Sequence, residues 1–203
     1  MALEHYYREY QGDLMTAAEY CRLAEVEHGS TELTEGRLVF LLGVHYSQHA
    51  VIALNIALAL RAFVAPRQLG RVTLQQYEYD LTLPGDEGET VWHPDVAFVR
   101  AEQVPIIDAA DDTEIAPRLA PDVVVEIASK SQFRPGMRRH IQRYLAAGSR
   151  LCWLVWPNRQ EVEVWRPGNQ QEPSAIKRVG DTLEGYEAIP GFTMSVADVF
   201  ARG

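Results

Sequence analysis

The segment PDVVVEIASKS, at residues 121–131, carries a single acid inside a run of apolar, mostly β-branched residues. Such a run, bounded by proline on one side and serine on the other, predicts a buried β-strand from Val123 to Ile127. Glu126 interrupts the run, and burying an unpaired carboxylate is costly in free energy. The glutamate therefore has a charged partner, faces a solvated edge or performs a function.

A helix and two further strands follow. In RPGMRRHIQRYLAAGS the apolar residues Met137, Ile141 and Leu145 recur at helical spacing, and Gly148 ends the pattern. LCWLVW and VEVWRP then predict a hairpin across the turn PNRQ. These segments indicate one α/β domain over residues 1–203. Its sheet is predicted to contain residues 72–81, 91–99, 122–128 and 151–165.

The longest apolar segment, HAVIALNIALALRAFVAP, predicts a core helix over residues 46–65. Val51, Leu54, Leu58 and Ala62 recur there at i+3 and i+4, and the following proline ends the helix. The segment includes a polar and a basic residue, so no apolar run reaches the roughly 18 residues of a membrane helix. We therefore expect no membrane partner.

Composition narrows the class of protein further. Apolar residues make up 47% of the chain, which indicates a folded globular protein. The net charge of -9 disfavours tight nonspecific binding to nucleic acid but allows a local basic patch. The charged, aromatic N-terminus is not typical of a signal peptide. Because Cys21 and Cys152 are the only cysteines and lack metal-type spacing, a reduced, cytoplasmic compartment is expected.

A second Pro-Asp pair, in HPDVAFV at residues 93–99, begins another predicted strand. Asp122 shares a strand face with Glu126, but four residues span about 13 Å, too far for one Mg²⁺ ion to contact both. Asp95 would lie beside Glu126 if their strands were neighbours. Two carboxylates from adjacent strands are a usual way to hold a hard cation for phosphodiester chemistry. Alternatively, Glu126 pairs with an arginine, and the Pro-Asp pairs only begin strands.

Five segments resemble, in order and spacing, those of the Uma-two family of endonucleases, which belongs to the PD-(D/E)XK nuclease superfamily. They are TELTEGRLV, HPDVAFV, PDVVVEIASKS, YLAAGSRLCWLVWP and IPGFTMSVADVF, within roughly residues 12–200. The resemblance implies a restriction-endonuclease-like fold, in which helices flank a mixed β-sheet. It also implies hydrolysis of nucleic acid, with DNA as the expected partner and Mg²⁺ or Mn²⁺ as the cofactor.

The resemblance implies roles for individual residues. Asp95 and Glu126 match the acids of the PD and (D/E)XK motifs, which hold the metal ion. Glu32 matches a glutamate that reaches the catalytic site from an N-terminal element. His49 matches a helix histidine, which we assign to substrate binding, and Tyr144 matches a tyrosine of the later helix.

The lysine of the superfamily motif is missing. Its position, two residues after Glu126, is Ala128, and the family's lysine on the next helix falls at His140. Lys130 shares the strand parity of Glu126 and could project toward the same site. Lys130 and His140 are therefore the candidates to act as base or charge stabiliser.

Four arginines on or near the later helix form a second candidate set. They are Arg134, Arg138, Arg139 and Arg143. They could receive backbone phosphates of a nucleic acid, or they could form a solvated helix face. Residues 151–156 and 161–165 could include the surface of a homodimer. Two alternatives to a nuclease stay open: a nuclease fold that binds nucleic acid or another partner without cutting, and a structural dimer whose carboxylates are merely paired.

Overall fold

The computed structural model describes residues 7–9, 14–23, 30–41, 47–75, 77–111, 113, 115–129, 134–168 and 171–202. Its strands are β1 (Tyr7–Glu9), β2 (Ser30–Thr34), β3 (Arg37–Leu41), β4 (Gly70–Leu74), β5 (Tyr79–Asp80), β6 (Val91–Trp92), β7 (Val96–Arg100), β8 (Val123–Ile127), β9 (Leu151–Trp156), β10 (Glu161–Trp165), β11 (Ala175–Arg178), β12 (Thr182–Glu184) and β13 (Thr193–Ser195). Its α-helices are α1 (Ala17–Tyr20), α2 (Ser47–Val64), α3 (Val104–Asp111), α4 (Arg134–Ala147) and α5 (Val196–Val199).

A six-stranded mixed sheet, in the order β11-β10-β9-β8-β7-β4, forms the centre of the fold. Strands β8 and β9 are parallel, and the chain passes between them through α4. The other neighbouring strands are antiparallel, including the predicted hairpin of β9 and β10. The α/β class, the flanking helices and the strand–helix–strand order predicted from the sequence are confirmed.

A second sheet, in the order β1-β3-β2-β6-β5, is built largely from the N-terminal part of the chain. The prediction that residues 72–81 and 91–99 each form one strand of the central sheet is wrong, because each segment divides between the two sheets. Pro94 lies at the second division, where its missing amide hydrogen prevents the strand from continuing. This break carries the chain directly from the second sheet into β7.

Helix α2 covers one face of the central sheet. Ile52, Ile56 and Leu60 are buried there, whereas Leu54 and Leu58 are more than half exposed. The helix bounds agree with the sequence prediction, but Leu54 and Leu58, whose spacing indicated the helix, do not lie on its buried face. The helix is apolar on nearly all sides, so periodicity alone could not identify the face that meets the sheet.

Helix α4 covers the opposite face, and its residues Met137, Ile141 and Leu145 are buried as predicted. Strands β9 and β10 are buried along their whole length, so they offer no surface to a second copy of the chain. None of the helices in the described part of the chain combines the length and apolar character of a membrane span.

Candidate active site

Asp95 and Glu126 meet on neighbouring strands. Val96 of β7 pairs with Val125 of β8 in an antiparallel register, which places Asp95 opposite Glu126. The Asp95 carboxylate accepts a hydrogen bond of 2.7 Å from the Ile127 amide. The predicted juxtaposition of the two acids is confirmed as geometry. It results from the Pro-Asp break, which places the aspartate just before the first residue of β7.

Asp122, the acid of the other Pro-Asp pair, has a different environment. Its carboxylate is buried and accepts hydrogen bonds from both the amide and the guanidinium group of Arg100. Asp122 is therefore paired away from Glu126, as its distance along the strand predicted.

Glu32 brings a third carboxylate to this place from β2. The second sheet meets the central one here, because Leu33 pairs with Val91 and the His93 ring bonds the Thr31 carbonyl at 2.9 Å. The Glu32 side chain is only 5% exposed. Burial, with a further contribution from the Asp95 charge, raises the pKa of Glu32 to about 8.

His49, from the first turn of α2, contacts Asp95. Its Nε2 atom lies 3.2 Å from the Asp95 carboxylate. Burial lowers the pKa of His49, but the hydrogen bond and charge of Asp95, with the Ile127 carbonyl, outweigh burial and raise it overall. This position lets His49 orient the Asp95 carboxylate, and its assignment to substrate binding stays a prediction.

We call the carboxylates of Asp95, Glu32 and Glu126 the acid cluster. Glu126 lies at its edge and is partly exposed. Burial raises the pKa of Glu126 well above its ordinary value, and the charges of Asp95 and Glu32 add to the effect. The Tyr144 hydroxyl, which faces Glu126 from α4, acts in the opposite direction. Because the negative charges of Asp95 and Glu32 act on Glu126 in this way, the site would favour a bound cation.

The donor chemistry of the acid cluster fits a hard divalent ion such as Mg²⁺ or Mn²⁺. No group of three or more His, Cys, Asp and Glu side chains in the described part of the chain is arranged to enclose a metal. Mg²⁺ usually takes only one or two carboxylates and completes its shell with water and substrate phosphate. Asp95 and Glu126, opposite each other on adjacent strands, supply such a pair.

The candidates for the missing lysine differ in position. Ala128 is buried at 4% exposure among the residues under α4. The His140 ring stacks on Trp92, with ring centroids 4.2 Å apart. Burial, followed by the Arg139 charge, lowers the pKa of His140 to about 4, so the ring is neutral at pH 7 and a weak base. Lys130 lies outside the described residues, and its role stays a prediction.

The four arginines do not form one basic surface. Arg134 and Arg138 both bind the Glu163 carboxylate at 3.1 Å, and Arg143 binds Asp86. Arg139 is exposed and forms no ion pair with a described residue. The proposed role in phosphate binding therefore suits Arg139 best, since the other three guanidinium groups already have carboxylate partners.

The buried acids of β10 are not among the residues predicted from the sequence. Glu161 and Glu163 are 4% and 0% exposed, and they face the arginines of α4. The signal was present: in EVEVW the two acids alternate with valines, so they share one strand face. Arg134 and Arg138, four residues apart, share one helix face. Their pairing fixes α4 over the central sheet.

Comparison with known proteins identifies the family. A family model described as "Uma2: Putative restriction endonuclease" matches residues 17–197. A search of curated proteins gave no match. The chain also resembles a solved structure, described as "a putative nuclease belonging to DUF820 from Anabaena variabilis ATCC 29413", with a TM-score of 0.72 and 23% sequence identity. That alignment covers 92% of this chain and 97% of the other, and it establishes the shared fold. The chain therefore belongs to the Uma2 family of restriction-endonuclease-like nucleases.

Proposed function

We propose that this protein is a divalent-metal-dependent endonuclease that hydrolyses phosphodiester bonds, with DNA as its substrate. The observation that supports this proposal most directly is the register of β7 and β8, which sets Asp95 opposite Glu126. Glu32 adds a third carboxylate that is buried like Asp95, whereas the Glu126 side chain is partly exposed. A largely buried group of carboxylates costs more free energy than an apolar core at the same place. Such a group therefore suits a catalytic role.

In the mechanism, Asp95 and Glu126 would hold the cation. The bound ion supplies a Lewis acid for the scissile phosphate and lowers the pKa of the attacking water. The Ile127 amide and His49 Nε2 both contact the same oxygen of Asp95, Oδ2, so the orientation of this carboxylate does not depend on the substrate. His140 or Lys130 would position the water or stabilise the charge on the phosphate.

A second candidate function is a nuclease fold that binds nucleic acid without cutting it. It is favoured by one specific observation: the motif lysine is replaced by Ala128, a buried methyl group that can neither donate a proton nor stabilise charge. The two candidates share a fold and an acid cluster. They differ only in turnover.

The test is a cleavage assay on plasmid, single-stranded DNA and RNA, with Mg²⁺, Mn²⁺ or a chelator. We expect metal-dependent cutting, and Glu126→Gln should reduce its rate by roughly a hundredfold or more, because a charge that holds the cation is lost. The control is Glu184→Gln, which changes an exposed glutamate on β12. Cutting that persists in Glu126→Gln would contradict the proposed site, and binding without any cutting would establish the second candidate.

Arg139→Ala should weaken nucleic-acid binding almost equally for all sequences. Loss of one phosphate contact should reduce the magnitude of the slope of log K against the logarithm of the salt concentration by about 0.9 for duplex DNA. The measurement is fluorescence anisotropy over a salt series, made in the Glu126→Gln background so that the probe stays intact. The control is Arg61→Ala, because Arg61 is also exposed but lies on α2, across the sheet. Equal slopes for the two variants would remove Arg139 from the substrate surface.

A further inference from the structure

Tyr144 has a buried hydroxyl that the packing of the protein does not use. Its side chain is 0% exposed, and its ring meets Trp92 edge to face, with centroids 5.5 Å apart. The hydroxyl oxygen forms no hydrogen bond of ordinary geometry with a described residue. A buried hydroxyl without a partner is unfavourable, so a residue with this property calls for a reason.

The hydroxyl faces the acid cluster. Of the three carboxylates, Glu126 acts on the hydroxyl most strongly, followed by Glu32 and Asp95, so the unpartnered hydroxyl lies beside the acid cluster. A tyrosine hydroxyl can donate one hydrogen bond, and a carboxylate that binds a cation is ionised and only accepts. Tyr144 is thus a donor aimed at acceptors.

The residue at the motif lysine position makes this arrangement possible. Ala128 follows β8 on the same side as Glu126, and it belongs to the same buried cluster as Tyr144 and Trp92. A long side chain at position 128 would project into the volume under α4. With only a methyl group there, the ring from the helix packs beside the strand and brings its hydroxyl to Glu126.

We propose that Tyr144 is a positioning residue of the metal site, which donates a hydrogen bond to Glu126 and holds that carboxylate in the orientation that binds the cation. The inference rests on the proposed function, because it concerns how the same site binds its metal. Groups that hydrogen-bond a ligating carboxylate typically change metal affinity by 10–100-fold when they are removed. The hydrogen bond is expected to reach ordinary geometry when Glu126 binds the cation.

The experiment compares Mn²⁺ binding to the wild type and to Tyr144→Phe by titration calorimetry, without nucleic acid, together with the melting temperature of the metal-free proteins. We expect Tyr144→Phe to bind Mn²⁺ about tenfold more weakly. Its melting temperature should be unchanged or higher, since the lost hydroxyl has no hydrogen-bond partner in the described structure.

The matched control is Tyr79→Phe, which also removes one fully buried hydroxyl. The Tyr79 hydroxyl lies 2.6 Å from that of Thr73, so this variant should melt at a lower temperature and bind Mn²⁺ like the wild type. Equal Mn²⁺ affinity in Tyr144→Phe and the wild type would overturn the inference and leave the proposed function standing. So would a loss of affinity accompanied by lower melting, because the hydroxyl would then be structural. A wild type that does not bind Mn²⁺ would overturn the proposed function itself.

Discussion

Glu32→Gln is expected to be more stable than the wild type by about 4 kcal/mol at pH 8 without divalent metal. Burial and the Asp95 charge raise the pKa of Glu32 from 4.5 to about 8 in the folded protein. Between these two values the folded state binds more protons than the unfolded state, so the free energy of unfolding falls as the pH rises. The penalty is absent below about pH 4.5 and complete above about pH 8. Glutamine cannot ionise and avoids this penalty.

Urea denaturation between pH 5 and pH 8 measures this difference. The wild type should lose stability over this interval, and Glu32→Gln should lose much less, so the two curves should separate toward pH 8. Glu184→Gln is the control, since that side chain is exposed on β12, and its curve should follow the wild type. Parallel curves for wild type and Glu32→Gln would mean that Glu32 ionises in the fold without cost.

Arg138→Met should lower the free energy of unfolding by about 3 kcal/mol, because the buried Glu163 carboxylate loses one of its two guanidinium partners. Glu163 is 0% exposed, and its two oxygens bind Arg134 and Arg138 at 3.1 Å. The Trp165 ring N–H adds a hydrogen bond of 3.2 Å. Removing the acid instead, in Glu163→Leu, should cost less. The two arginines are partly exposed and keep Glu161 and Glu172 as partners.

The asymmetry between these two variants is the test, measured by urea denaturation at pH 7. A double variant, Arg138→Met with Glu163→Leu, should recover much of the stability lost in Arg138→Met, since no unpaired charge stays buried. Arg71→Met provides the surface comparison. Its pair with Asp108 is exposed and should contribute less than about 1 kcal/mol. A larger loss in Glu163→Leu than in Arg138→Met would show that the network contributes mainly through attraction.

The ion pairs of Arg134, Arg138 and Arg143 also explain why helix α4 could be predicted more easily than its function. Met137, Ile141 and Leu145 gave the helix its core face from spacing alone. Arginines on the other positions were open to two interpretations, phosphate binding and a solvated face. Three of them instead have carboxylate partners on β10 or in the 82–90 loop, at sequence distances that no local pattern encodes.

The sequence alone determined the strand–helix–strand order around Glu126 and the bounds of α2 and α4, and it predicted that Asp95 would lie beside Glu126. These features depend on local periodicity, on turn residues and on motifs with fixed spacing. The tertiary structure decided which face of α2 is buried, how two predicted strands divide between sheets, and that His49 and Tyr144 lie beside the acid cluster. The physical reason is that these contacts join residues far apart in the chain, and their free energies depend on burial and charge that exist only once the sheets have formed.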